Sequence, residues 1–549
     1  MRDVQTGLPD RICGDFVKMI NLTINNQPVS VSDGSKVLDA AKMVGITIPT
    51  LCHSNGYKPN TSCMICVVHE LKTDSLILAC SMPAEDGMHI ETDNERVREA
   101  RKDTLDLLLS EHVGDCEAPC ERTCPSNMNI PLMIRQVKDK NLEEAIITVK
   151  ADIPLPAVLS RICPAPCERG CNRKYYDNPV SICKLIRFVA DVDLAKKSPY
   201  RPDIRPKSEK KVAVIGAGPT GLSAAYYMSQ SGHDCVIYDQ NINPGGLLQY
   251  GVPDEKLPKP VLDAEIEQIL KLGIELKLEQ TLGKDFNLSE LTDEYNAVVL
   301  AFGKTDINVL KNSKIELSPR GIAINKKTFE TTIPGVFTGG NAISEGKMAI
   351  RSVAHGKFIA YSVNQFVNGL TVTGYPQRFN SVIGKLHNDE MQEFLKEAEA
   401  FNQIIPAESP ETGYSYVEAV KESKRCFHCD CRKPDSCKLR QYAEEYGANH
   451  KRFKFGQRKR FQKIIQHDLI TFEPGKCIKC NLCIEITKKA GERFGLPFIN
   501  RGFDVQLVVP FNESLKKGLQ KAAKKCVDAC PTAAIAWRNA EEGLDRDSK

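Results

Sequence analysis

No run of this chain approaches eighteen consecutive apolar residues, so no transmembrane helix is expected. An apolar leader is also lacking, which argues against the oxidising compartments where disulfide frameworks persist; the expected location is cytoplasmic. Net charge is scarce: 74 Lys and Arg against 70 Asp and Glu leave +4, too little over 549 residues to call for a nucleic-acid or membrane partner. The stretch Lys451 to Lys463, with Phe453, Phe455 and Phe461 interleaved, is basic and acid-free, and reads as a solvated or partner-docking face. No nucleophile constellation and no general acid or base stands out, so catalytic residues are unknown at this level.

Cysteine is what the chain has in excess. There are 22, and only Cys13 and Cys235 stand outside four spaced groups. C-x2-C and C-x3-C spacings place thiolates on one tight loop, which suits a metal or cluster and strains a disulfide. At roughly 150 residues per domain the length allows about three or four cores. The expected fold class is multidomain α/β and α+β. Its expected segments are an extension (1–17), a ferredoxin-like domain (18–95), a helical cysteine domain (96–200), a nucleotide-binding domain (201–375), a connector on that domain (376–425), a four-cysteine segment (426–470) and a second ferredoxin-like domain (471–549).

The first group follows an alternating hairpin, Ile20, Leu22, Ile24 then Val29, Val31 around Asn25-Asn26, and a short helix at 37–44. Cys52, Cys63, Cys66 and Cys80 then supply three ligands on one loop and a fourth from a later strand, as in a small ferredoxin holding a 2Fe-2S cluster. With Cys80-Ser-Met-Pro and Asp86-Gly87-Met88, the stretch resembles the β-grasp N-terminal ferredoxin domain of the largest peripheral subunit of respiratory complex I and of iron-only hydrogenases. Thr61-Ser62 departs from the glycine and small residue usual there. Structural zinc is the alternative occupant.

The second group is Cys116, Cys120 and Cys124, then Cys163, Cys167, Cys171 and Cys183. Two 4Fe-4S clusters need eight ligands, and His112 completes the count; a neutral imidazole on iron raises the potential. A surface histidine beside a helix end is the other reading. Arg161-Ile-Cys-Pro-Ala-Pro-Cys-Glu-Arg-Gly-Cys171 with Pro179-Val-Ser-Ile-Cys183 resembles the N-terminal helical domain of the glutamate synthase small subunit. That resemblance implies crossed ligation, with His112, Cys116, Cys120 and Cys171 on one cluster and Cys124, Cys163, Cys167 and Cys183 on the other.

Lys211-Val-Ala-Val-Ile215 reads as a buried strand and runs into Gly216-Ala-Gly218-Pro219-Thr220-Gly221 and a helix from Leu222. Glycines allow the backbone to approach a pyrophosphate, and the helix N-terminus offers its free N–H groups. A second strand ends at Asp239, 18 residues after Gly221, placed for a ribose hydroxyl. Gly245, Gly246, Leu247, Gly251 and Val252 resemble the flavin-side loop of the glutamate synthase small subunit family, and the return through Gly340-Asn341 resembles its late strand. Ala301 and Gly303 complete the set, and the resemblance implies FAD. Asn341 stands where that family has Asp. About thirty residues separate Gly303 from Pro334, without a second G-x-G-x-x-G, whereas that family has a whole NADPH domain there. A βαβ unit alone takes about thirty residues, so no complete second nucleotide domain is expected.

Cys426, Cys429, Cys431 and Cys437 lie within twelve residues and read as one four-thiolate site, for a 4Fe-4S cluster or zinc, with His428 a possible substitute. Cys477, Cys480 and Cys483 with Cys530-Pro531 look like a bacterial two-cluster ferredoxin reduced to one cluster, Thr487 replacing a ligand and Cys526 left over. The sum is an iron-sulfur flavoprotein oxidoreductase with FAD, one 2Fe-2S and up to four 4Fe-4S clusters. It reads as an electron-transfer subunit whose partners are other redox subunits or ferredoxin, in a hetero-oligomeric NAD(P)H-, hydrogen- or formate-linked complex. A stand-alone ferredoxin-dependent flavin reductase of a small molecule and a zinc-holding scaffold are the alternatives.

Overall fold

The structure, a computed structural model, describes residues 18–304, 307–310, 313–346, 348–408, 413–453 and 458–538. The extension expected at 1–17, Cys13, Phe455 and the last eleven residues lie outside them. The chain divides into two compact units. One comprises Met1–Cys116, Phe379–Leu386 and Cys431–Lys549, the other Glu117–Arg378 and His387–Asp430.

In the first unit, the strands Met19–Ile24 and Gln27–Ser32 form the expected hairpin, closed by Asn25 and Asn26 at φ 47° and 63°. Both turn positions need the left-handed region, which asparagine tolerates. Met19–Ile24 pairs in parallel with His89–Glu91, which pairs antiparallel with Val67–Glu70, itself paired with Ser75–Leu78. Ile20, Leu22, Ile24, Val29 and Val31 alternate inward against the helix Val37–Met43. Glu95–Ser110 is a helix capped by Asn94, whose Oδ1 accepts the Val97 N–H at 2.9 Å. Its Leu105 and Leu109 pack with Leu439 and Ala443 of the helix Lys438–Glu445. Further along, Ile470–Phe472 pairs antiparallel with Ile535–Trp537, over the helices Leu482–Lys489 and Ala523–Ala529. Thr487 is buried there and bonds back to Ile484 O at 2.9 Å, so its hydroxyl is satisfied within its own helix.

The second unit begins with short helices, among them Ile130–Lys138, Pro156–Ile162 and Ile182–Leu194. A five-stranded sheet follows, whose order is Val336–Thr338, Ala297–Leu300, Lys211–Ile215, Asp234–Tyr238, Glu275–Lys277, every neighbouring pair parallel. Ala297–Leu300, Val336–Thr338 and most of Lys211–Ile215 are near-continuous buried runs because both faces are covered, whereas the edge strand Glu275–Lys277 has no buried residue. The helix Pro219–Gln230 packs closely on Ala349–Val367, and Gly356 permits it: a Cβ there would lie 2.5 Å from Thr220 O. Between Gly303 and Pro334 the described residues form one short turn, Ile307–Leu310, and a minimal hairpin, Leu317–Ser318 with Gly321–Ile322.

The connector departs from expectation. Its helix Tyr416–Ser423 packs on Ile130–Lys138 and Ile182–Leu194 rather than on the nucleotide sheet. The cause is polar: Glu422 accepts the N–H groups of Ser181 and Ile404, and Arg425 reaches Asp177, Asn178 O and Pro179 O. No helix among the described residues is long and apolar enough to cross a membrane.

Candidate functional site

The carboxyl ends of the parallel strands open into a cleft of about 700 Å³. Gly216, Gly218, Pro219, Thr220, Asp239, Gly246, Leu247, Gly251, Val252, Ala301, Gly303 and Asn341 all line it. Its floor is a cradle that side chains would fill. A Cβ on Gly216 would meet Ala301 O at 2.5 Å, and one on Gly246, at φ 54°, would stand 3.0 Å from Gly218 Cα. The Asp239 carboxylate holds the turn: Oδ2 accepts Ala217 N–H at 2.7 Å and Oδ1 accepts Asn241 N–H at 2.8 Å. Asn341 Oδ1 is already taken by Gly346 N–H at 3.1 Å.

Gly221, Gly245 and Gly340 are not in the lining. Gly221 serves packing, since a Cβ there would fall 1.9 Å from Gly216 O. Gly340 donates its N–H to His355 Nδ1 at 3.0 Å, which requires that nitrogen to be unprotonated; burial pushes the imidazole down to about 4. Ile162, Gln280, Thr281, Leu282, Met348, Ala349 and Ser352 line the cleft without having been expected. They follow the last outer strand or end helices, and no motif marks such positions.

Beside this cleft lies a thiol pocket. Cys124, Cys163, Cys167 and Cys183 line it together with Met128, Ile130, Ile153, Leu159, Ile186 and Ile350. The two spaces share a wall, because Ile162 and Ala349 face the cleft while Cys163 and Ile350, their chain neighbours, face the thiols.

In the first unit, Cys52, Cys63, Cys66 and Cys80 are all buried and close enough for their side chains to act on one another, Cys52 on Cys63 and Cys80, and Cys66 on Cys80. Hydrogen bonding to Cys52 and burial push Cys63 up. Cys477, Cys480, Cys483 and Cys530 line another small pocket, with Cys526 outside its lining and bonded to Cys483 O at 3.9 Å.

The structure groups the remaining ligands within its two units: Cys426 and Cys429 belong to one, Cys431 and Cys437 to the other. Cys431 and Cys437 line a pocket with His112 and Cys116. Cys120 and Cys426 lie in the buried core of the second unit, with Cys171 and Cys429 packed against it. Of the expected group His112, Cys116, Cys120 and Cys171, the first two belong to one unit and the last two to the other. His428 N–H points to Cys426 Sγ at 3.4 Å, and its ring faces Arg135, which holds Asp430 through two hydrogen bonds.

Burial pushes these thiols up: Cys116, Cys124 and Cys477 to about 11, Cys426 and Cys437 to about 12. A buried thiol of that kind ionises when a metal centre supplies the opposing positive charge, so the donor chemistry fits iron. Among the described residues no three His, Cys, Asp or Glu side chains converge on a single-ion site. The groups instead ring small spaces.

Residues 17–95 match the 2Fe-2S iron-sulfur cluster binding domain, residues 109–198 dihydropyrimidine dehydrogenase domain II with its 4Fe-4S cluster, and residues 214–267 the NAD(P)-binding Rossmann-like domain. The chain is 36% identical over 188 residues to the NADPH-Fe(3+) oxidoreductase subunit beta of Geobacter sulfurreducens, covering 34% of this chain and 28% of that one. It is 37% identical over 190 residues to the NAD-dependent dihydropyrimidine dehydrogenase subunit PreT of Salmonella typhimurium, covering 34% and 46%. Over 207 residues it is 36% identical to the NADP(+)-dependent formate dehydrogenase subunit beta of Moorella thermoacetica, covering 34% and 29%. The chain thus spans less than half of each of these relatives, all of them oxidoreductase subunits.

Proposed function

We propose that this chain is the electron-transfer subunit of a larger oxidoreductase, carrying electrons between a dinucleotide in the cleft and a series of iron-sulfur clusters. The single observation that carries this reading is the shared wall: Ile162-Cys163 and Ala349-Ile350 separate the dinucleotide cleft from four thiols by one layer of residues. FAD is the dinucleotide, supported by the loop Gly245 to Val252 and by the short interval 304–333, which leaves no room for a separate nicotinamide domain. Bound flavin would supply the conversion between paired and single electrons. The protein's own residues do the rest: Gly216, Gly218 and Gly246 admit the pyrophosphate, Asp239 braces the turn and can meet a ribose hydroxyl, and apolar Met128, Ile130 and Ile350 exclude water from the adjacent thiols.

One 2Fe-2S cluster would be held by Cys52, Cys63, Cys66 and Cys80. Cys124, Cys163, Cys167 and Cys183 would hold one 4Fe-4S cluster, and Cys477, Cys480, Cys483 and Cys530 another. The partners are redox subunits that supply or accept electrons, as the names of the relatives suggest. Chemical analysis of anaerobically purified chain tests the reading: one FAD and about 18 iron atoms are expected from five filled sites, and zinc with little iron defeats it. NADPH or NADH added to the isolated chain should leave the flavin absorbance unchanged; rapid bleaching points to a nicotinamide site of its own. An active chain that never co-purifies with a partner overturns the subunit role in favour of a stand-alone reductase.

A further inference from the structure

We infer that two 4Fe-4S clusters are each built from cysteines of two distant motifs, one on His112, Cys116, Cys431 and Cys437, the other on Cys120, Cys171, Cys426 and Cys429. This rests on the iron-sulfur reading above. The observation behind the first set is a single buried pocket in the first unit, lined by His112, Cys116, Cys431 and Cys437. Backbone bonds close it: Cys431 N–H donates to Cys116 O at 3.2 Å, and Ser381 N–H points to Cys116 Sγ at 3.4 Å. For the second set, within the other unit, Asn172 Nδ2 donates to Cys429 Sγ at 3.5 Å beside Cys171. Cys120 and Cys426 lie in the same buried core, with Cys171 and Cys429 packed against it. Each set has four donors, the number a cubane requires, whereas neither parent motif keeps its own four together.

The first set differs from the second in charge. An imidazole replaces a thiolate, so the ligand shell carries one negative charge fewer. A buried lysine lies close by: Lys476 is 2% exposed and its stem runs against Gly114 between His112 and Cys116. Glu473, 2.7 Å from its Nζ, offsets part of that charge. The His112 cluster is thereby the higher-potential member of the pair.

Paired alanine variants of the full chain, purified anaerobically and read by iron content and low-temperature EPR, test the sharing. Cys116→Ala and Cys431→Ala should abolish the same signal and cost about four iron atoms each, and their combination no more than about four. Cys120→Ala and Cys429→Ala should do the same for a different signal. Cys429→Ala with Cys431→Ala should then cost about eight iron atoms; a loss of only about four, or a signal shared by Cys116→Ala and Cys120→Ala, overturns the inference. His112→Cys supplies a milder readout, keeping the iron and lowering the midpoint potential of the signal that Cys431→Ala abolishes. An unmoved midpoint overturns the assignment of His112. Retention of the 2Fe-2S signal in every variant reports an intact fold, and wild-type chain without iron refutes the iron-sulfur reading itself rather than the sharing.

Discussion

Removing the Arg425 guanidinium should loosen the helix Tyr416–Ser423 by between about two and four powers of ten in amide exchange. Arg425 is fully buried and so is its partner Glu422, 2.7 Å away. The guanidinium also donates to Asp177 Oδ1 at 3.0 Å, Asn178 O at 2.7 Å, Phe401 O at 3.1 Å and Pro179 O at 3.3 Å. Arg425→Met leaves Glu422 buried with only the Ser181 and Ile404 N–H groups, both at 2.9 Å, and takes the donor from Asn178 O, while Phe401 O keeps Arg173 and Pro179 O keeps Gln403. Breaking one side of a buried pair costs about 3–5 kcal/mol, and every 1.4 kcal/mol is about tenfold. Hydrogen–deuterium exchange mass spectrometry measures the opening locally, without assuming that the whole chain unfolds at once. Peptides from 416–423 and from 182–194, onto which that helix packs, should lose protection together. Glu422→Gln combined with Arg425→Met should be less costly than the two single effects added, because part of the damage is the stranded carboxylate. An increase in exchange below about tenfold, or strict additivity in the double variant, would refute this account.

Gly221→Ala should reduce flavin content at least tenfold in purified chain, since its Cβ would lie 1.9 Å from Gly216 O and must displace the turn; retention of flavin at wild-type occupancy argues that the turn is not the binding element. His355 makes the same region acid-sensitive. Its folded value, down to about 4, lies below the unfolded value near 6.5, so the unfolded chain takes the proton first: stability is full above about pH 6.5 and is lost as pH falls from there to about 4. The ceiling is about 3 kcal/mol, and urea titrations from pH 4 to 8 should show a shallower slope in His355→Gln than in wild type. Cys526→Ser should retain all iron, because Cys526 lies outside the pocket formed by Cys477, Cys480, Cys483 and Cys530; loss of about four iron atoms makes it a ligand.

Elements whose information is local were legible from residue order. The Asn25-Asn26 hairpin and the turn Gly216 to Gly221 each depend on a backbone conformation that a few adjacent residues specify. The same holds for Cys52, Cys63 and Cys66, carried by one loop that ends at the strand Val67–Glu70. Ile350, by contrast, lies on the wall between cleft and thiols because its helix packs on Pro219–Gln230, and its apolar side chain is indistinguishable in sequence from any other core residue.

By itself, the sequence determined that this chain gathers thiolates for clusters and shapes a glycine cradle for a dinucleotide, because close spacing restricts a loop to a few geometries. Which thiolates meet was decided by tertiary structure alone. Cys116 and Cys431 share a pocket although more than three hundred residues separate them, and Cys429 and Cys431 belong to different units although one residue separates them. Spacing constrains only the reach of the chain, whereas the direction a thiol faces depends on the core its backbone joins.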